Sequence, residues 1–361
     1  MNVTIVGGGN IGTQFAAHYA EKGNKVTMFT SKPEKFNREL IVIDENENII
    51  HKGIIEKATS DCKEAFENAD LIFVITPAYT MEAESNKILP YVKEGMKICL
   101  VPGTGGGECA FKKCIDKGAI LFGVQRVPSV ARLVEYGHIT RAVGYRNEMF
   151  VSSIPNKYVD ECKKIIEDGI GIKTSVLPNY LNITLTPSNP ILHTSRLRTI
   201  FKDFKDGVEY DHLPLFYEDW NNETSELLFK MDDEVQRICK TIDKLDLSYV
   251  KSLKNHYESN TPEAMTKKIS SIDGFKGLTT PGLKLDDGKY IPDLNSRYFT
   301  ADFPYGLKIL VEIADLIAID VPYLKETMDW YYSIVGNNID EFDFSKYGIN
   351  SKADLVEFYK K

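Results

Sequence analysis

Through the first half of the chain, short runs of β-branched and aliphatic residues alternate with stretches in which apolar side chains recur every three or four positions. That rhythm belongs to repeated strand, helix, strand units and a parallel sheet. Residues 3–6, 25–29, 71–75 and 97–101 read as strands, with fainter strand patterns at 119–124 and 140–144. Helices are expected between them at 11–22, 62–68 and 81–91, and a helix over 157–168 followed by a strand over 173–176 closes the sheet near Leu177. Beyond Thr186 the pattern turns helical throughout, over 225–243, 247–259, 304–317 and 322–334. Asp302 is placed to cap the third of these, with Pro304 in its first turn. The expected architecture is an α/β domain over residues 1–186 and an all-α domain over 187–361, with the loop-like stretch 274–295 as the segment most open to motion.

A length of 361 residues suits two domains, each able to bury its own core. Hydrophobic residues at 43% and charged residues at 27% match globular averages, which excludes collagen-like, disordered and membrane-inserted classes. The net charge of −8 gives no general footprint for nucleic acid, and no nucleic-acid-binding module is present. Six cysteines are scattered without a CxxC pair or a histidine at zinc spacing, so no structural metal is expected. The chain opens directly on a strand, with no secretory signal pattern and no long apolar run. A cytoplasmic protein with reduced thiols is therefore expected, with neither membrane nor nucleic acid as partner.

Candidate chemistry begins where the first strand runs into Gly7-Gly8-Gly9-Asn10-Ile11-Gly12 and then a helix. A G-x-G-x-x-G turn in that context is the fingerprint of a Rossmann-type dinucleotide-binding domain. Gly7 permits the tight turn, Gly9 lets backbone approach a pyrophosphate, and Gly12 allows helix and strand to pack closely. The backbone amides of the first helical turn, Asn10 and Ile11 among them, and the positive end of the helix dipole then face the phosphates. Where an NAD site carries an acidic residue some 20 positions on, this chain has Thr30-Ser31-Lys32. Hydroxyls and a lysine suit a 2′-phosphate, so NADP is favoured over NAD, with Lys35 or Arg38 as further cations. Thr76 and Pro77, and the glycine-rich segment 101–107, follow later strands and are expected on the nicotinamide side; ordinary turn chemistry is the alternative.

A dehydrogenase reducing C=O or C=N needs a proton donor opposite the hydride, and histidine is the side chain best suited to it near neutral pH. Of six histidines, His18, His51, His138, His212 and His256 lie in settings that read as structural or exposed. His193 stands apart, in Thr186-Pro187-Ser188-Asn189-Pro190-Ile191-Leu192-His193 at the junction of the two expected domains, where a cleft would open. A second segment, Arg297 to Leu307, places an arginine able to grip a carboxylate and Asp302, able to orient an imidazole, just before a helix. The plainer reading there is a capping Asp302 paired with Arg297 on the surface.

These segments together resemble the opine dehydrogenases, the octopine and nopaline dehydrogenase family, over nearly the whole chain. Asn189-Pro190-Ile191-Leu192-His193 resembles the family's N-P-x-x-H stretch, and Arg297 through Leu307 resembles its R-Y-x-x-x-D-x-P-x-G-L segment. Gln125 lies in a segment similar to the family's Q-x-x-P. The resemblance implies a Rossmann domain followed by an all-helical domain. It also implies His193 as acid and base, Asp302 as its partner, Arg297 as a carboxylate ligand, and Gln125 and Asn189 on the substrate side. The implied reaction condenses the amino group of an amino acid with a 2-oxo acid and reduces the imine with NADPH or NADH. Thr194 stands where the family usually has proline and Ala301 where an acidic residue is common; Arg196 and Arg198 make the segment unusually basic. Those departures bear on which substrate is joined, since either arginine could read an extra carboxylate or lie solvated on a helix.

Two other classes remain in view. A ketopantoate reductase or glycerol-3-phosphate dehydrogenase type of carbonyl reductase would use a lysine near the domain junction, where Lys202, Lys205 and Lys230 form no such motif. A non-catalytic NADP-binding sensor would need neither His193 nor the Arg297 to Asp302 segment. A homodimer is compatible with either plan.

Overall fold

The computed structural model describes residues 1–186 and 189–361. The chain forms two compact units, Met1–Thr184 with Glu357–Lys361, and Leu185–Val356. Pro187 and Ser188, on which the expected boundary falls, lie outside the described residues. The last five residues, expected in the second domain, group with the first. The Tyr359 hydroxyl donates to the buried Glu108 carboxylate at 2.6 Å, and the Asn156 amide donates to the Lys361 carbonyl at 2.6 Å. Burial pushes the Glu108 carboxyl above the usual carboxylate range, so the hydroxyls of Tyr359 and Thr184 that reach it satisfy a group otherwise costly to enclose.

The strands of the first unit are Asn2–Val6 (β1), Lys25–Phe29 (β2), Glu39–Ile43 (β3), Ile49–Ile54 (β4), Lys57–Thr59 (β5) and Leu71–Val74 (β6). Lys97–Leu100 (β7), Ile120–Val124 (β8), Val130–Glu135 (β9), Ile139–Val143 (β10), Met149–Ile154 (β11) and Thr174–Val176 (β12) complete the set. The main sheet runs β12-β11-β8-β7-β6-β1-β2-β5, parallel except where β11 meets β8. Its central strands are buried on both faces, as Leu71, Ile72, Phe73 and Val74 of β6 show.

A second sheet, β4-β3-β10-β9, is a departure from the expected elements. Residues 140–144, expected in the main sheet, pair there with β3 and β9 as part of β10. Helix α1 (Asn10–Glu21) packs against both sheets and is buried from Gly12 to Tyr19. Gly53 of β4 lets them touch, because a Cβ there would overlap the Ala17 carbonyl. Helix α2 (Val159–Ile170) covers the far end of the main sheet through Cys162, Ile166 and Ile170.

The second unit is helical. Its main helices are Asn189–Ile200 (α3), Asn222–Thr241 (α4), Lys308–Leu316 (α5) and Pro322–Val335 (α6). Asn221 caps α4 by accepting the Thr224 amide at 2.9 Å. Leu228, Met231, Val235 and Ile238 make its buried stripe. The helix expected over 247–259 is only Leu253–His256, and the loop expected at 274–295 holds a hairpin of Gly282–Lys284 (β13) and Tyr290–Pro292 (β14).

Candidate active site

In the first unit the glycine turn joins β1 to α1. Gly7 has a φ of +108°, and a Cβ on it would lie 2.6 Å from the Ile75 carbonyl oxygen, so only glycine fits. At Gly12 a Cβ would overlap the carbonyl oxygen of Gly7, which fixes how closely the helix begins beneath its strand. Gly9 is the opposite case: it is exposed, and a Cβ there would meet nothing within 4 Å. The turn is thus packed beneath and open above, as a group approached by a pyrophosphate must be.

Helix α1 starts at Asn10 with no side-chain cap on its first turn, which leaves backbone amides to bind an anion. Asn10 turns its side-chain carbonyl to the Leu133 amide, 2.8 Å away in β9, so it can serve a ligand through its backbone. Ile11 packs partly into the core. Thr30 is buried at the end of β2, with its hydroxyl 3.4 Å from that of Tyr136, while Ser31 and Lys32 after it are exposed. Phe36, which sequence reasoning passed over, closes on Gly8 so tightly that a Cβ there would lie 2.6 Å from its ring.

Thr76 and Pro77 follow β6 and are tied by Thr80, whose hydroxyl lies 2.8 Å from both the Thr76 hydroxyl and the Pro77 carbonyl. Gln125 follows β8, half-buried, with its backbone N–H donating to the Phe150 carbonyl at 2.9 Å. All of these positions stand at carboxyl ends of strands, the edge on which open α/β sheets bind ligands.

The second unit brings His193 and Asp302 together across 109 residues of sequence. The imidazole Nδ1 lies 2.7 Å from the Asp302 carboxylate and Nε2 lies 2.7 Å from the Tyr217 hydroxyl. A carboxylate only accepts, so Nδ1 carries the proton, and Nε2 accepts from Tyr217 when the ring is neutral. His193 is 8% exposed and is walled by Phe216 and Tyr298, with ring centroids 5.6 and 4.7 Å away. Burial, above all, pushes the Tyr217 phenol far above its ordinary range, with Tyr298, Tyr257 and Asp302 adding to the effect.

Local packing explains the meeting. Gly306 lies over Pro190 so closely that a Cβ would be 3.2 Å from its ring, and the turn Phe303–Leu307 therefore sits directly against α3. Asp302 makes no capping hydrogen bond there, contrary to the cap expected; its carboxylate is committed to the imidazole.

Arg196, one helical turn beyond His193, is buried and not solvated. Its guanidinium donates to the carbonyls of Phe216 at 2.9 Å, Leu215 at 3.2 Å and Asp219 at 2.8 Å, and it lies 5.6 Å from the Trp220 ring. It thereby holds the loop that carries Tyr217. Arg198 stands over Trp330 at 5.5 Å. Arg297 opens the short helix Arg297–Thr300, is exposed, and has no ion pair among the described residues. Asn189 is exposed at the start of α3.

Tyr217 was missed in the sequence, where Leu215-Phe216-Tyr217 reads as an apolar patch. Of the other histidines, His18 is pushed down to about 3, first by burial and then by His51, whose ring centre lies 3.7 Å away. It suits a neutral structural role. Among the described residues no group of three or more His, Cys, Asp or Glu could hold a metal, and no helix is long and apolar enough to cross a membrane.

Comparison with known proteins follows the same division. The family model for the alpha-helical domain of NAD/NADP octopine/nopaline dehydrogenases matches residues 176–335, and that for ketopantoate reductase PanE/ApbA matches residues 3–153. Tauropine dehydrogenase of Arabella iricolor is 25% identical, over 92% of this chain and 91% of its own. Opine dehydrogenase of Haliotis discus hannai is 25% identical over 99% and 98%. A solved octopine dehydrogenase with NADH and L-arginine shares the fold at a TM-score of 0.85, 21% identity, and 99% and 98% coverage.

Proposed function

This NAD(P)-dependent oxidoreductase belongs to the opine dehydrogenase family, and we propose that it joins the amino group of an amino acid to a 2-oxo acid by reductive condensation. The observation that carries this reading is the imidazole of His193, oriented by Asp302 at 2.7 Å inside an aromatic wall. Such a group takes a proton from the amine as it adds to the carbonyl and returns one to the oxygen that leaves as water. Asp302 holds the tautomer and stabilises the imidazolium. The exposed guanidinium of Arg297 binds a substrate carboxylate, and Gln125 and Asn189 are further polar ligands.

The cradle of Gly7, Gly9 and Gly12 fits a dinucleotide, because its one open position is the one a pyrophosphate approaches. Backbone amides of Asn10 and Ile11 meet the phosphates, Thr30, Ser31 and Lys32 the ribose side, and Thr76 and Pro77 the nicotinamide side. Lys32, exposed and without an acidic neighbour in the Thr30-Ser31-Lys32 stretch, favours NADP. When bound, the nicotinamide supplies the hydride that reduces the imine carbon.

The test follows oxidation of NADPH and NADH with pyruvate, oxaloacetate and 2-oxoglutarate, each with and without a panel of amino acids. Oxidation that depends on the amine, and is faster with NADPH, is the expected result. Oxidation by an oxo acid alone, unchanged by any amino acid, overturns the proposal in favour of simple carbonyl reduction.

A further inference from the structure

The Nε2 atom of His193 is the nitrogen left for proton transfer once Nδ1 is committed to Asp302, and it does not face open solvent. The Tyr217 hydroxyl covers it at 2.7 Å. Tyr217 itself is 5% exposed and stacked, its ring 4.2 Å from that of Phe275 and near parallel to Trp220. The carbonyl fan of Arg196 pins the backbone on both sides of it. Held in this way, the tyrosine keeps its hydroxyl on the imidazole. Tyr298, half-buried and next in sequence to Arg297, packs on the His193 ring at 4.7 Å and the Phe216 ring at 4.8 Å, which puts it beside Tyr217 as the outer phenol.

We propose that Tyr217, with Tyr298 as its outer neighbour, is a proton relay that connects the buried Nε2 of His193 to the substrate. The inference rests on the reading of His193 as the acid and base of the reaction. In the first transfer, the Tyr217 proton moves to Nε2 as the Tyr217 oxygen takes one, through the Tyr298 hydroxyl, from the substrate ammonium group. The amine that results attacks the oxo carbon, and Asp302 stabilises the imidazolium.

In the second transfer Nε2–H returns its proton to Tyr217, Tyr217 passes its own outward, and the carbinol oxygen receives it. The adduct also shifts one N–H proton to its alkoxide, so the carbinol oxygen holds two protons when the C–O bond breaks, C=N forms as the iminium and water leaves; the relayed proton has passed from nitrogen to oxygen and both phenols finish neutral. Concerted passage matters because a phenol enclosed as Tyr217 is resists ionisation, and a hydroxyl that donates and accepts together never becomes a phenolate.

Other polar clusters carry less. Glu108 is spent on anchoring the C-terminus, and the surface hollow beside Arg198 and Lys230 is lined by cations and carboxylates in near balance.

The test uses full-length protein and the variants Tyr217→Phe and Tyr298→Phe, each keeping its ring. Tyr217→Phe is expected to lower kcat roughly 10²-fold, in the range of one acid–base group, with KM for the oxo acid within about twofold of wild type. Tyr298→Phe lowers kcat by a smaller factor. In mixtures of H₂O and D₂O the wild-type rate bends downward with deuterium fraction, as for several protons moving together, and Tyr217→Phe gives a straight line. Independently of turnover, ¹⁵N NMR of His193 shows an Nε2 resonance displaced by a hydrogen bond in wild type, relaxed in Tyr217→Phe, with Nδ1 unchanged.

An unaltered or raised kcat in Tyr217→Phe, or an Nε2 resonance the substitution does not move, overturns the relay. A wild-type enzyme indifferent to amines contradicts opine chemistry alone; the same isotope comparison on its oxo-acid reduction then decides the relay.

Discussion

The glycine turn of the first unit and the histidine centre of the second solve different physical problems. The turn works by what is missing: no Cβ fits at Gly7 or Gly12, and none is in the way at Gly9. Its glycines fall within six positions of sequence, Gly7 to Gly12, with Ile75 and Phe36 closing on them from outside. The histidine centre works by what is brought together, with Asp302 and Tyr217 arriving on His193 from 109 and 24 residues away. On the proposed reading, one is a backbone shape that any dinucleotide enzyme can share, and the other is the side-chain network that decides what is done with the cofactor. A substitution can therefore remove chemistry and spare binding, or the reverse.

The largest expected effect comes from His193→Ala, which lowers turnover by roughly 10³-fold while the Kd for NADPH, read by fluorescence titration, stays at the wild-type value. A matching loss of cofactor affinity would erase the distinction between the two regions.

Next in size is a contrast within the turn. Gly12→Ala forces a Cβ into the Gly7 carbonyl and destabilises the first unit by roughly 3 kcal/mol or more, in the range of severe core strain. Gly9→Ala adds its methyl to open space, keeps stability within about 0.5 kcal/mol, and weakens cofactor binding at least about tenfold by blocking the pyrophosphate. Melting curves paired with titrations check both, and equal stability of the two variants would contradict the steric account.

A smaller effect separates the second unit's chemistry from its scaffolding. Asp232, buried in α4, accepts the Leu253 amide at 2.8 Å, and burial pushes its carboxyl up to about 7. Between the ordinary carboxylate range and that value the folded chain holds a proton that the unfolded chain has released. Stability therefore falls as pH rises from about 4 to 7, by about 3 to 4 kcal/mol in all. Asp232→Asn is expected to flatten that slope without changing turnover. Both tryptophans of the chain, Trp220 and Trp330, lie in the second unit, so their fluorescence reports its unfolding across pH.

The same contrast explains what was legible in the sequence. Strands β1, β2, β6 and β7 and the glycine turn announce themselves through local runs, because buried parallel strands are continuously apolar. β3, β4 and β9 do not: Glu39, His51, Lys52, Arg132 and Glu135 interrupt them, as suits a small sheet with one wet face. The hairpin of β13 and β14 is too short to show a period. His193 and Asp302 were visible as motif residues, but spacing alone also allowed a cap for Asp302, and only packing of Gly306 on Pro190 decides between them. Tyr217 carried no local signal, and Arg196 showed only its charge, not its burial, which exists only once the loop 215–219 folds against α3.

In the proposed reaction, hydride and amine end on one molecule. Enzyme is incubated with a 2-oxo acid, a ¹⁵N-labelled amino acid and NADPH deuterated at the transferring position, and the products are resolved by mass spectrometry. One secondary amine carrying both ¹⁵N and a single deuterium on the former oxo carbon is the expected product. Deuterium in a 2-hydroxy acid, with the ¹⁵N amino acid recovered unchanged, would contradict it.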